Sequence, residues 1–293
     1  MTHRKKGILL VLVGASMWGA SGVAGQYVLQ RAGFSAEWLV VSRMLLAGIV
    51  LLVIDAVRER GSILEIWQEK RDAYEVIAFA VCGMVAVQYT YFACIKAGNA
   101  ATATVLQYLM PIVIVLYDSV TARHLPRFIE VLSVVLAVTG TFLLVTHGDA
   151  NTLAIPHEAL FWGLASALAG AFYTMQPKRL IRKWRATLVI GWGMLIGGLL
   201  FSFVCPPWQF TGVWTPISIL LFAYIVVFGT ILAFSCYLGS LKYIRPGEAG
   251  VLASVEPLAA IVLSIAFLAT PFSLMDVLGT TCILSTIFIL ARR

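Results

Sequence analysis

A carboxylate and a helix breaker sit side by side in an apolar run. Glu256 and Pro257 fall within Ala249-Gly-Val-Leu-Ala-Ser-Val-Glu-Pro-Leu-Ala-Ala260, where no other side chain is ionisable. A charge in such a run is costly and marks a functional hypothesis with a partner to be named. The candidate partner is Arg43, which also falls within an apolar run. Glu256 has three roles open to it. It takes up a proton during a working cycle, since burial penalises the charged form. It binds a cationic group of a solute. Or it fixes a helix by hydrogen bonding beside the proline. Arg43 likewise either snorkels to the membrane surface on its long stem or faces a cavity, where its fork suits a carboxylate or phosphate.

Trp18, Gln88, Tyr91, Gln107, Tyr108, Tyr173 and Tyr237 supply aromatic and amide groups near the same levels. Together they would hold a small amphipathic solute by stacking and a few hydrogen bonds; each alone also serves as ordinary packing. Pro111 and Pro257 each remove one backbone hydrogen bond, which frees the carbonyls of Gln107 and Ala253 and predicts a kink in each helix. Kinked helices at membrane depth are tolerated where protein or a cavity re-satisfies the freed groups.

The pattern is one of binding rather than bond-making. No nucleophile–base pair, no H-E-x-x-H, no Cys/His ligand cluster and no G-x-x-x-x-G-K-[ST] occurs, so the chain is not expected to be an enzyme or to need a metal or cofactor. The five cysteines (82, 94, 205, 236, 282) form no framework and read as small hydrophobes.

The elements that must position these residues are membrane helices. Of 293 residues, 60% are hydrophobic and 12% charged, and the mean hydropathy is +0.92. That is about half the charge of a soluble domain. Ten stretches approach the roughly 20 residues a spanning helix needs: near 7–29, 37–56, 74–95, 99–120, 128–147, 158–176, 187–205, 217–241, 247–268 and 274–291. The first, preceded by Arg4, Lys5 and Lys6, is too long for a signal-peptide core and reads as a retained helix. Glu256 then lies about 13 Å into its helix, near the midplane.

The net charge of +7 fits topology better than nucleic acid. With the N-terminus cytoplasmic, all of the 21 Lys and Arg residues except Arg31, Lys96 and Arg43 fall in cytoplasmic segments or at the cytoplasmic ends. This bias predicts that both termini face the cytoplasm, in the plasma (inner) membrane.

The chain also carries a trace of duplication. Pro257 lies 146 positions after Pro111, and at that offset Gly83 meets Gly229, Tyr91 meets Tyr237, Lys96 meets Lys242, Ala103 meets Ala249, Val105 meets Val251 and Leu106 meets Leu252. Met110 stands where Glu256 stands in the second copy. The expected fold is an all-α integral membrane protein of ten transmembrane helices in two inverted-topology five-helix repeats, 1–150 and 151–293. An odd helix count forces the second copy to enter from the opposite side, an arrangement common in secondary transporters. Small residues crowd the first helix (Gly14 to Gly25) and the sixth (Gly163 to Ala171), where backbones can approach closely.

Met17-Trp18-Gly19, Arg43, the stretch Tyr91 to Pro111 and its counterpart Tyr237 to Pro257 resemble the EamA-type family of the drug/metabolite transporter superfamily, over nearly the whole chain. The resemblance implies two copies of one domain and transport of amino acids, related metabolites or drugs. One motif departs: the Gly-Glu pair common at the ends of the fourth and ninth helices is replaced by Arg123-His124 and Ala269-Thr270, so no role of that pair is carried over. The expected function is secondary active transport of a small metabolite by alternating access, with proton coupling as one role for Glu256. The partners are the small-molecule substrate and membrane lipids, not nucleic acid, with the chain a monomer or homodimer. A membrane-embedded lipid-modifying enzyme and a passive channel are the alternatives.

Overall fold

The computed structural model describes residues 3–59, 62–121, 128–149, 153–240, 243–244, 249 and 252–290. Arg60, Arg123, His124, Arg127, Lys242, Arg245, Val251, Arg292, Arg293 and the boundary at 150–151 lie outside the described residues. Among those described there is helix and connecting chain but no strand. The helices are α1 (His3–Gln30), α2 (Ala36–Glu59), α3 (Lys70–Ala97), α4 (Ala100–Thr121), α5 (Phe128–Thr146), α6 (His157–Met175), a short α7 (Lys178–Lys183), α8 (Ala186–Phe201), α9 (216–240), α10 (Val255–Leu268) and α11 (Leu274–Leu290). Six of them, α1 to α5 and α9, are long and apolar enough to cross a membrane. The stretches Ala186–Phe201, Val255–Leu268 and Leu274–Ile289 are apolar but shorter. This is a multi-pass helical membrane protein.

Local chemistry sets the helix ends. Asn99 caps α4 by accepting from the Thr102 amide at 2.8 Å. Thr215 and Ser218 exchange hydrogen bonds around Pro216 in a capping box that starts α9. Ala269, in the left-handed region at φ 52°, stops α10. The two longest apolar helices with matched glycines are both widened partway: α3 passes through a π-helical stretch at Phe79–Val85 and α9 through one at Val227–Leu232, which hold Gly83 and Gly229. Such bulges free local carbonyls and often mark functional sites.

The packing of these helices is crossed. α1 lies against α9 and α10; α6 lies against α3 and α4; α2 packs on α8 and α5 on α11. Small residues make the first two sets possible: Gly14, Ala15, Gly19, Ser21 and Gly22 are buried on α1, and Gly163, Ser166, Ala167 and Gly170 on α6. The α5–α11 contact is similarly close. A Cβ on Gly140 would come 2.6 Å from the Gly279 carbonyl oxygen, and one on Gly279 would come 2.7 Å from that of Gly140.

The two ends of the bundle are tied differently. Where α2 ends and α3 begins, carboxylates meet the cations of the α6–α8 connection. Asp72, wholly buried, accepts from Arg179, from Lys183 at 2.7 Å and from the Trp184 indole at 2.8 Å. Arg179 also meets Glu75 at 2.8 Å, Lys183 meets Glu69, and Arg185 meets Asp55 at 2.6 Å. Donating these hydrogen bonds, to Glu75 foremost for Arg179 and to Asp72 foremost for Lys183, holds both cations above their ordinary pKa values. Both therefore stay charged across neutral pH. At the opposite end, where α1 ends and α9 begins, the tie is aromatic. Phe34, Trp38, Phe210 and Trp214 pack with ring centroids 4.7–5.7 Å apart, and the Trp38 indole donates to the Pro207 carbonyl at 2.7 Å.

Gly279→Val places branched carbon against the Gly140 carbonyl and must part α5 from α11. Overpacking of this kind costs about 1–3 kcal/mol, so thermal unfolding in detergent shows a lower Tm for the variant than for the parent protein.

Candidate functional site

The proline expectation changes on meeting the structure. Neither proline kinks a continuous helix. α4 is two pieces, Ala100–Gln107 and Met110–Thr121, separated by a turn at Tyr108-Leu109, and Pro111 sits in the first turn of the second piece. Likewise Ala253-Ser254 is a turn, and α10 starts at Val255 with Pro257 in its first turn. A proline is well tolerated there because its missing N–H would have no partner in the helix anyway. Glu256 is thus in the opening turn of α10 rather than nine residues inside a helix. Leu268 lies twelve residues further on, about 18 Å along the axis, roughly half of a hydrocarbon core.

The two breaks meet each other. The Tyr108 hydroxyl, in the first break, lies 2.7 Å from the Ala253 carbonyl in the second and 3.2 Å from Glu256 Oε2. Its one proton is shared between two acceptors, and the Ala253 carbonyl, which Pro257 cannot bond and the Glu256 amide meets at 2.9 Å, gains a second donor. Gly19 allows the close approach of α1 to this point, since a Cβ there would come 2.5 Å from the Glu256 carbonyl oxygen. Trp18, its neighbour, packs against Tyr237 at 5.4 Å and Phe234 at 5.0 Å between ring centroids. Tyr91 and Tyr237 are both within electrostatic reach of Glu256, and Tyr173 within that of Tyr237. Trp18, Tyr91, Tyr108, Tyr173, Tyr237 and Glu256 therefore form one neighbourhood, drawn from α1, α3, α4, α6, α9 and α10. All but Tyr108 keep part of their surface open.

Arg43 does not join Glu256 in an ion pair. It is 6% exposed, so it does not snorkel. Its Nη2 donates to Thr230 Oγ1 at 2.8 Å, its guanidinium lies 4.9 Å from the centre of the Phe92 ring, and its Nε is buried with no partner. Thr230 belongs to the π-helical stretch of α9 and itself donates to the Ile225 carbonyl at 2.9 Å. Among the described residues neither Arg43 nor Glu256 has a counter-ion, yet Tyr91 is within electrostatic reach of both. Tyr91 in turn hydrogen bonds Thr104 at 2.8 Å. Gln88 is 8% exposed, with both amide atoms unpartnered. Gln107 donates to Ser166 at 2.8 Å, and Tyr173 stacks on Phe79; these contacts bind α6 to α4 and α3.

The residues that sequence reasoning passed over are Thr104, Thr230, Phe92 and Phe234. Thr230 adjoins Gly229, one of the duplicated glycines, and Phe234 lies one turn before Tyr237, so the duplication itself pointed to both. A recess of about 430 Å³ lies elsewhere, between the second piece of α4, α5 and α6. Its walls, Leu109, Ile112, Val138 and Leu168 among them, are apolar apart from Thr141. The Thr141 hydroxyl donates its proton to the Ala137 carbonyl at 2.8 Å and no charged group lines the recess, so the chemistry stays with Glu256 and Arg43. The five cysteines are free.

An all-helical membrane protein with crossed packing and polar groups gathered at two helix breaks has the build of a transporter. The chain belongs to the EamA-like transporter family, a family of the drug/metabolite transporter superfamily, whose description matches it twice, over residues 5–146 and 157–292. It is 40% identical to a Salmonella typhimurium protein described as "Uncharacterized inner membrane transporter YicL", over 99% of this chain and 97% of that one. It is 25% identical to the "Uncharacterized transporter YetK" of Bacillus subtilis, over 92% and 82%. A solved structure described only as the crystal structure of a protein shares its fold, with a TM-score of 0.66 at 19% identity over 99% of each chain.

Tyr108→Phe keeps the ring and removes the donor shared by Ala253 and Glu256. The Ala253 carbonyl retains the Glu256 amide at 2.9 Å, so the loss is about 1 kcal/mol. Thermal unfolding in detergent reads it as a modestly lowered Tm.

Proposed function

We propose that the protein is a secondary transporter that moves a small, polar-ended metabolite across the plasma membrane by alternating access. In this reading the chain makes ten spans in two inverted five-helix repeats, 1–150 and 151–293, with both termini cytoplasmic. It works as a monomer or homodimer, without cofactor, and is not an enzyme. The crossed packing carries the reading. The first helix of each half lies against the third and fourth helices of the other half: α1 on α9 and α10, α6 on α3 and α4. Two sets of helices so formed can rock about a central site. The double match to the family, the name of the Salmonella relative and the concentration of Lys and Arg on one side support the same reading.

Glu256 is the coupling residue. It is the carboxylate at the meeting of the two breaks, held by a neutral donor and by no cation among the described residues. An ionisable group at membrane depth marks a functional site by default, and a carboxylate without a cation partner is one that can change its protonation during a cycle. Tyr108 can donate to the carboxylate when it is ionised and accept from it when it is protonated, so the break survives either state.

Counterflow in proteoliposomes, with pooled labelled metabolites on one side and unlabelled pools on the other, is expected to show trans-acceleration, which a channel would lack. An imposed pH gradient is expected to drive net uptake by the parent protein and to lose most of that effect in Glu256→Gln. Full pH-driven transport by Glu256→Gln would remove the coupling role.

A further inference from the structure

The recess between the second piece of α4, α5 and α6 has a buried floor and an open rim. Leu109, Ile112, Ala137 and Ala167 form the floor, each less than a tenth exposed, while Val138 and Leu168 at the rim are 64% and 60% exposed. Both rim residues fall near the middle of their helices. The cavity of about 430 Å³ therefore opens sideways at mid-depth, where the surrounding medium is hydrocarbon. What fills it must be apolar. Its one hydroxyl, on Thr141, already donates within α5, and a water there would lack the two to four polar partners it needs.

The rim leads toward the end of the bundle that is tied by ion pairs. Leu168 and Phe172, four apart, are exposed on one stripe of α6. The helix ends at Met175, eight residues past Ala167 and about 12 Å along the axis. Half of a hydrocarbon core is about 15 Å, so the recess lies one leaflet deep from that end. Lys178 and Arg182 stand just beyond it. They are four apart on α7, exposed, and paired with no carboxylate among the described residues. Arg179 and Lys183, each one position on, carry the ion pairs with Glu75 and Asp72. α7 thus holds the protein together with one pair of cations and presents the other pair at the membrane surface.

We propose that the recess holds one acyl chain of an anionic phospholipid, with the phosphate at Lys178 and Arg182 and the tail running past Phe172 and Leu168 to Leu109. A cation near the surface attracts an anionic head group, and the buried floor gives the tail an apolar seat. Leu109 is half of the turn that breaks α4, and Tyr108, the other half, bonds Ala253. The lipid backs the break from outside while Tyr108 holds it from within. The choice of leaflet rests on the topology proposed above, but binding in detergent depends neither on that choice nor on transport.

The test is native mass spectrometry of the delipidated full chain in detergent, titrated with dipalmitoyl phosphatidylglycerol, dipalmitoyl phosphatidylcholine and dihexanoyl phosphatidylglycerol. The first is expected to bind once per chain, about 30-fold more tightly than the second, with each cation contributing about fivefold. The short-tailed lipid is expected not to be retained. The double variant Lys178→Gln/Arg182→Gln brings phosphatidylglycerol down to the level of phosphatidylcholine. Ala137→Leu fills the floor and Val138→Trp crowds the rim; each is expected to weaken dipalmitoyl binding by about tenfold or more. Val138 faces hydrocarbon, so its variant gives an answer even where Ala137→Leu fails to fold. No retention of dipalmitoyl phosphatidylglycerol, or undiminished retention by Val138→Trp, would overturn the recess as the site. Equal retention of the dihexanoyl lipid would overturn the role of the tail. A head-group preference that is absent, or that survives the double variant, would overturn that of Lys178 and Arg182. A dimer that excludes lipid would show instead that a second copy covers the recess.

Discussion

The centre of the molecule depends on one tertiary hydrogen bond, from Tyr108 to the Ala253 carbonyl. A helix that breaks in a membrane exposes carbonyls to a medium that offers no replacement partner. Here each break supplies what the other lacks. The turn at Tyr108-Leu109 turns a phenol toward the second break, and the second break offers it a carbonyl and a carboxylate. Together they make a place where polar groups are available at depth, and Gly19 lets α1 close over it.

The charged groups follow from the same constraint. In hydrocarbon a lone ion is expensive, so each is expected to find an opposite partner. Arg43 and Glu256 instead lean on neutral groups: a hydroxyl released by the π-helical stretch of α9, an aromatic face, a shared phenol. The widening of α9 at Val227–Leu232 is what turns Thr230 toward Arg43 while its own proton goes to the Ile225 carbonyl. Backbone irregularity and ionic placement are thus one design, in which local departures from the regular helix provide polar atoms to the interior.

The sequence made some of this legible. Long apolar runs located α1 to α5 and α9 because nothing but length and composition is needed to see them. Trp18, Tyr91, Tyr108, Tyr237 and Glu256 could be singled out as polar groups at matched depth, and they do gather. The sequence misled at the prolines, because Pro111 and Pro257 look the same whether they bend a helix or restart one. The two restarts are joined by a bond between Tyr108 and Ala253, 145 residues apart. It misled again in pairing Arg43 with Glu256, the natural match by charge. Neutral partners such as Thr230 and Phe92 carry no signal in a run of apolar residues.

The two ties at the ends of the bundle have a further consequence. One is made of ion pairs around Asp72 and Asp55, the other of rings packed edge-on around Trp38. Added salt screens the first only through its half-exposed cations, because Asp72 and Asp55 are buried, while strongly excluded salts such as sulfate tighten the second by strengthening apolar burial. The two ends of the bundle therefore answer the same change of salt differently, one through charge and the other through apolar burial.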